Sequence, residues 1–269
     1  MEIIRKTRPT VPLRAAIFDF DGTLSLIREG WQQVMIPYFI DVLNGARCSG
    51  NTDKESPDEI AHCVREFVDL NTGKQTIYQC ISLAEEVSRR GGIPLEPIAY
   101  KAEYHRRLSE RIAGRIAELK SGGDPVKHVV PGSYQVLNML QGRGLTLYLA
   151  SGTDEVYVRE EAELLQLTSF FDGGIYGAKD DYKSFSKAMV IACIIDERQL
   201  KGPELVGFGD GYVEIENISN INGFAVGVAT NESERCGIDP WKRKRLINAG
   251  ADWIIPDFTE TPELESCLF

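Results

Sequence analysis

The sequence predicts an α/β fold, a parallel sheet flanked by helices, with a separate helical bundle inserted after the first strand. Three observations predict it. From about residue 126 to the end, short apolar runs alternate with helical patterns. A strand of the same texture lies far upstream, near residue 15. Between the two, residues 30–120 carry helical periodicity almost throughout.

The first strand is the run Ala15-Ala16-Ile17-Phe18-Asp19-Phe20, apolar up to its acid. Similar runs lie at 145–150, 205–208, 224–229 and 252–255. Near-continuous apolar strands belong to parallel sheets buried on both faces. Helical patterns at 155–167 and 186–196 supply the crossovers such a sheet needs. In the insert, Trp31, Val34, Met35, Tyr38, Phe39, Val42 and Leu43 follow helical spacing. Pro37 sits inside that pattern and should kink the helix or mark its start. Ile60, Val64, Phe67 and Val68 form a second stripe, and Ile77, Ile81, Ala84 and Val87 a third. Tyr100, Tyr104, Leu108, Ile112, Ile116 and Leu119 form a long fourth. Four amphipathic helices suit a small bundle. Gly91-Gly92 and the run Ser121-Gly122-Gly123-Asp124-Pro125 break the pattern inside the insert and at its exit. The expected organisation is a Rossmann-like core from residues 1–29 and 122–269, and a helical domain from 30–121.

Composition narrows the function classes. The chain has 269 residues, 43% of them apolar, enough for a core plus a second domain. A net charge of −10 argues against non-specific nucleic-acid binding. No stretch approaches the length of a membrane span, and the N-terminal MEIIRKTRPT has no apolar signal region. The six cysteines, Cys48, Cys63, Cys80, Cys193, Cys236 and Cys267, form no C-x-x-C pair. Reduced thiols in a cytoplasmic protein are therefore expected. His62, His105 and His128 lie apart, which gives little support to a zinc site or a Ser-His-Asp triad.

The chemistry gathers where apolar strands end. Asp19 and Asp21 alternate along the end of the first strand and so point the same way. Gly22 then permits a sharp turn. Two close carboxylates persist only if a cation neutralises them or one holds a proton. Both outcomes serve phosphoryl transfer, one acid as nucleophile and the other as general acid and base. The plainer alternative is a D-G turn with incidental acids. The run 145–150 leads into Ser151-Gly152-Thr153-Asp154, where a hydroxyl and free N–H groups could grip a phosphate oxygen. The run 205–208 leads into Gly209-Asp210, with Glu214 four residues on. By themselves these acids could simply stabilise a helix N-terminus.

The segment IFDFDGTLS resembles the first motif of the haloacid dehalogenase-like hydrolases. The Ser151 turn, a downstream lysine and the Asp210 run then follow in the order of that superfamily's other motifs. The resemblance implies that Asp19 is a nucleophile forming an aspartyl phosphate. It makes Asp21 the general acid/base, and an Asp at that position marks the phosphatase form. Ser151 and Gly152 would bind phosphate. A lysine would neutralise the phosphate; Lys187 fits the more usual spacing and is preferred, with Lys183 as the alternative. Mg²⁺ would be bound by Asp19, the carbonyl of Asp21, Asp210 and, directly or through water, Glu214. Such an ion keeps several waters and suits oxygen ligands. The insert resembles the helical cap of the phosphoglycolate phosphatase and β-phosphoglucomutase branch. That implies a small phosphorylated metabolite as substrate, with neither nucleic acid nor membrane as partner.

In the insert, Asn71-Thr72-Gly73-Lys74-Gln75-Thr76 joins two helices. Either Lys74 contacts the substrate, or Asn71 or Thr72 is simply a helix N-cap. Three further functions compete with the phosphomonoester hydrolase: a phosphosugar mutase, a phosphonatase using Lys74, and a non-catalytic binding module.

Overall fold

The computed structural model describes residues 1–46, 55–179 and 181–269; Cys48 and Asp180 lie outside them. The elements run β1 (Glu2–Ile3), β2 (Ala15–Phe18), α1 (Gln32–Gly45), α2 (Pro57–Asn71), α3 (Thr76–Arg89), α4 (Pro97–Lys120) and α5 (Ser133–Gly142). They continue with β3 (Thr146–Asp154), α6 (Glu155–Leu164), β4 (Gly174–Ala178), α7 (Lys187–Glu197), β5 (Leu205–Gly209) and α8 (Tyr212–Asn220). The chain closes with β6 (Phe224–Val228), α9 (Pro240–Asn248), β7 (Trp253–Ile255) and α10 (Thr261–Leu268). It divides into two compact units, Met1–Glu29 with Arg115–Phe269, and Gly30–Gly114.

The larger unit holds a seven-stranded sheet in the order β1-β7-β6-β5-β2-β3-β4. All pairings are parallel except that of β1, which runs antiparallel to β7. All four residues of β2 are buried, as a central strand requires. Alternation then splits them between faces. Ala15 and Ile17 join Ala225 and Ile254 under Ile191 and Ile194 of α7, Ile215 and Ile218 of α8 and Leu246 of α9. Phe18 instead stacks on Phe208 at 4.5 Å between ring centres and meets Phe258 at 6.2 Å. Burying aromatic rings of this size contributes roughly 1.5–3 kcal/mol each.

The chain leaves β2 for β3 on one side and later returns to β5 on the other. That is the switch point at which open α/β sheets leave a crevice beyond the carboxyl ends of their strands. β3 runs four residues past the expected end at 150, through Asp154, and its register with β4 shifts between Ala150 and Asp154. Ser151 therefore sits within an irregular strand end rather than in a turn.

The smaller unit is helical. Phe39 of α1 stacks on Phe67 of α2 at 5.9 Å, and the Arg107 guanidinium of α4 covers the Tyr38 ring at 4.4 Å. α1 runs through Pro37, which neither starts nor ends it, and the missing N–H gives up one helical hydrogen bond. α2 starts on a capping box: Ser56 Oγ accepts the Glu59 N–H and Glu59 Oε2 accepts the Ser56 N–H. In α3 the buried stripe is Ile77, Cys80, Leu83 and Val87, one residue off the expected Ile81 and Ala84. α4 ends at Lys120, where the glycine-rich run begins, and Arg115 on it donates to the carbonyls of Ile27 and Glu29.

Candidate active site

The first acid loop is built by its own backbone. The Asp19 N–H donates to the Phe208 carbonyl at 2.9 Å, extending the β2–β5 ladder by one rung. The Phe20 carbonyl then accepts N–H groups from Thr23, Leu24 and Ser25, which folds the chain back sharply. Gly22 makes this turn at φ +76°, and a Cβ there would meet Asp210 Oδ2 at 2.3 Å. Only glycine fits, both for conformation and for space. The Thr23 hydroxyl accepts the Asp210 N–H at 2.9 Å and so joins the first acid loop to the last.

Lys187 Nζ donates to Asp19 Oδ1 at 2.6 Å and to Glu214 Oε2 at 2.9 Å. The three residues are 7%, 5% and 6% exposed for Asp19, Lys187 and Glu214, so these are buried, charge-assisted bonds. Lys187 opens α7, whose N-cap Ser186 accepts the Met189 N–H. Lys183 is exposed and lies over the Tyr182 ring, so of the two candidate lysines it is Lys187 that reaches Asp19. Glu214 also serves as a helix-terminal acid, since its Oε1 accepts the Gly211 N–H at 2.6 Å. The plain reading of Glu214 as a helix-terminal acid thus holds.

Asp21 is held by two hydroxyls on the other side. Ser151 Oγ donates to its Oδ2 at 3.2 Å and Thr153 Oγ1 to the same atom at 2.8 Å. Asp21 Oδ1 is buried without a hydrogen-bond partner among the described residues, and Arg28 Nε stands 3.8 Å from it. Arg28 is itself clamped by Glu161 through contacts of 2.7–3.1 Å.

No known family model matches the sequence, and no curated protein matches it. Solved structures do. A predicted phosphoglycolate phosphatase from Haemophilus somnus is 14% identical with a TM-score of 0.57, over 95% of this chain and 99% of that one. A β-phosphoglucomutase from Clostridium difficile is 13% identical with a TM-score of 0.59, over 94% and 96%. A haloacid dehalogenase-like protein of unknown function from Agrobacterium tumefaciens is 16% identical with a TM-score of 0.58, over 94% and 98%. The chain has the haloacid dehalogenase-like fold. At these identities the likeness is one of fold.

Within this haloacid dehalogenase-like core, carboxylate oxygens of Asp19, Asp210 and Glu214 lie within 4.8 Å of one another. The donor set is hard oxygen, which suits Mg²⁺. Burial first, then Glu214 and Asp210, push the Asp19 carboxyl well up, and Lys187 offsets only part of this. A dication among the three acids would act in the opposite sense and favour the carboxylate. Burial would lower Lys187, but Asp19 and Glu214 outweigh it and raise it, so its ammonium is held.

The remaining sequence candidates fall as follows. Gly152 lies in the irregular end of β3. Lys74 belongs to the helical unit, where its Nζ donates to Asn71 Oδ1 at 3.1 Å. Asn71 and Thr72 are not N-caps: Asn71 ends α2 and Thr72 is its C-cap, each donating back to a carbonyl of that helix. The N-cap of α3 is Gln75. No helix among the described residues is long and apolar enough to cross a membrane.

Four polar residues of the site were not singled out from sequence: Thr153, Arg28, Glu232 and Lys242. Thr153 had a signal, since it alternates with Ser151 onto the same side of a strand. Glu232 had a weaker one, because it lies in the loop past the carboxyl end of β6, four positions beyond Val228, whereas Asp210 directly follows β5. Lys242 donates to Glu232 Oε1 at 2.6 Å and lies 2.7 Å from Asp210 Oδ2.

Proposed function

We propose that the chain is a Mg²⁺-dependent phosphohydrolase of the haloacid dehalogenase-like superfamily, acting on a small phosphorylated metabolite through Asp19. The observation that carries this reading is the buried Lys187 on Asp19, beside acids whose oxygens lie within 4.8 Å of the Asp19 carboxylate. The ion would be held by Asp19, the Asp21 carbonyl, Asp210 and Glu214, and when bound it supplies charge neutralisation for the phosphoryl group.

The residues divide the work. An Asp19 oxygen attacks phosphorus, and Asp21 gives its proton to the departing oxygen, so the alcohol leaves neutral and phosphate stays on Asp19. Asp21, now a carboxylate, takes a proton from water, which attacks the same phosphorus and frees inorganic phosphate. Lys187 balances charge at Asp19 throughout. Ser151 and Thr153 orient Asp21 through its Oδ2, and Ser151 with Gly152 would meet a phosphate oxygen. The helical insert would select the substrate, with Lys74 as its candidate contact.

A screen of phosphorylated metabolites with Mg²⁺, reading released phosphate, tests this. Activity should vanish in EDTA and fall at least about 10³-fold in Asp19→Asn, in line with loss of a nucleophile. Lys74→Ala should raise KM on the best substrate. Full activity in Asp19→Asn rejects the mechanism. A second reading, phosphate transfer between sugar hydroxyls, draws support from the β-phosphoglucomutase among the structural neighbours. It needs the same acids, and isomerised sugar phosphate in place of free phosphate would favour it.

A further inference from the structure

Lys242, in the first turn of α9, is a second buried lysine at the acid cluster. Its side chain is 10% exposed and its Nζ contacts Asp210 Oδ2 at 2.7 Å and Glu232 Oε1 at 2.6 Å. Both acids press on the Gly22 turn, where a Cβ would come 2.3 Å from Asp210 Oδ2 and 3.1 Å from Glu232 Oε1. The backbone of Lys242 is fixed as well. Asp239 caps α9 by accepting the N–H groups of Trp241 and Lys242 at 2.8 and 2.9 Å. One oxygen of Asp210 is therefore already in contact with the Lys242 ammonium, which Glu232 holds from its other side.

Building on the metal-site reading above, we propose that Lys242 is a positioning residue that confines Asp210 to coordination through a single oxygen, making the site select Mg²⁺ over Ca²⁺. An ammonium at hydrogen-bond distance from Oδ2 repels a dication that would chelate both carboxylate oxygens. Mg²⁺ loses little by this, because it requires octahedral geometry and retains waters. Ca²⁺ takes six to eight oxygens and readily uses bidentate carboxylates, so it loses more. Glu232 holds Lys242 in place and balances its charge.

Isothermal titration calorimetry of the whole chain without substrate, with Mg²⁺ and with Ca²⁺, tests this. Three proteins are compared: wild type, Lys242→Met, and the double variant Lys242→Met/Glu232→Gln. Loss of the lysine charge strengthens both dications alike, so the readout is the ratio of the two dissociation constants. The ratio should move toward Ca²⁺ by roughly tenfold, the low end of what partners of metal ligands contribute. The double variant leaves net charge unchanged and removes the Glu232 carboxylate together with its lysine partner, and it keeps the test decisive if the single variant does not fold. An unchanged ratio with Mg²⁺ binding intact overturns the inference alone. Binding of neither ion by the wild type overturns it together with the metal site.

Discussion

At the scale of single residues, the site depends on acids and cations held by partners. Asp21 is the clearest case, because its Oδ2 takes two hydroxyl bonds and Thr153 makes the shorter, at 2.8 Å. Thr153→Val should lower kcat about tenfold, a fraction of what a positioned general acid contributes, while KM changes little; steady-state kinetics on the best substrate checks this, and an unchanged kcat would remove Thr153 from the account. Asp19, Asp21, Ser151 and Asp210 were legible because each follows an apolar run, and the carboxyl ends of parallel strands are where α/β sheets bind ligands. Glu232 obeys the same rule more weakly, in the loop past β6, and could have been found by it. Lys242 could not: the run Lys242-Arg243-Lys244-Arg245 reads as a solvated basic face. Only the packing of α9 turns its first lysine inward. Arg28 and Glu161 are 133 residues apart, so nothing local links them.

At the scale of elements, local signals succeeded where they were strong. Four helical stripes became four helices, and the long apolar runs became β2, β3, β5, β6 and β7. β4 went unseen because Gly174-Ile175-Tyr176-Gly177-Ala178 is short and has two glycines, which weaken any strand signal. β1 went unseen because two residues carry no periodicity; its pairing with β7 defines it. The one-residue offset in α3 reflects tertiary choice, with Cys80 and Leu83 buried in preference to Ile81 and Ala84. The capping box of α2 gives an element-scale prediction. Ser56→Ala should cost about 1 kcal/mol, within the usual range for an N-cap. Urea unfolding followed by circular dichroism measures it, and a loss near zero would mean the cap bonds seen here carry no weight in solution.

At the scale of the whole molecule, stability should depend on pH through Glu86. Burial would raise this carboxyl, but bonds from Arg89, Arg90 and Cys63 outweigh it and hold it near 2, down from 4.5. A depressed acid contributes its full stabilisation above about 4.5 and loses it as pH falls toward about 2. The wild-type urea midpoint should therefore fall more steeply between those values than that of Glu86→Gln. Parallel slopes would contradict it. The order in which the chain is threaded also matters at this scale. Strand β2 stands in mid-sheet because the chain goes first to β3 and later to β5, and that alone brings Asp19 and Asp210 together across a separation of 191 positions. The acids themselves could be read from sequence, whereas their convergence required the sheet order.

The central claim is that Asp19 carries the phosphoryl group. Borohydride reduces an acyl phosphate to an alcohol, so trapping during turnover of p-nitrophenyl phosphate with Mg²⁺ should convert residue 19 to homoserine, seen by peptide mass spectrometry. The account predicts that product at Asp19, dependent on both substrate and metal and absent in Asp19→Asn. Turnover with residue 19 unmodified, or modification at Asp21 or Asp210 in its place, would contradict it.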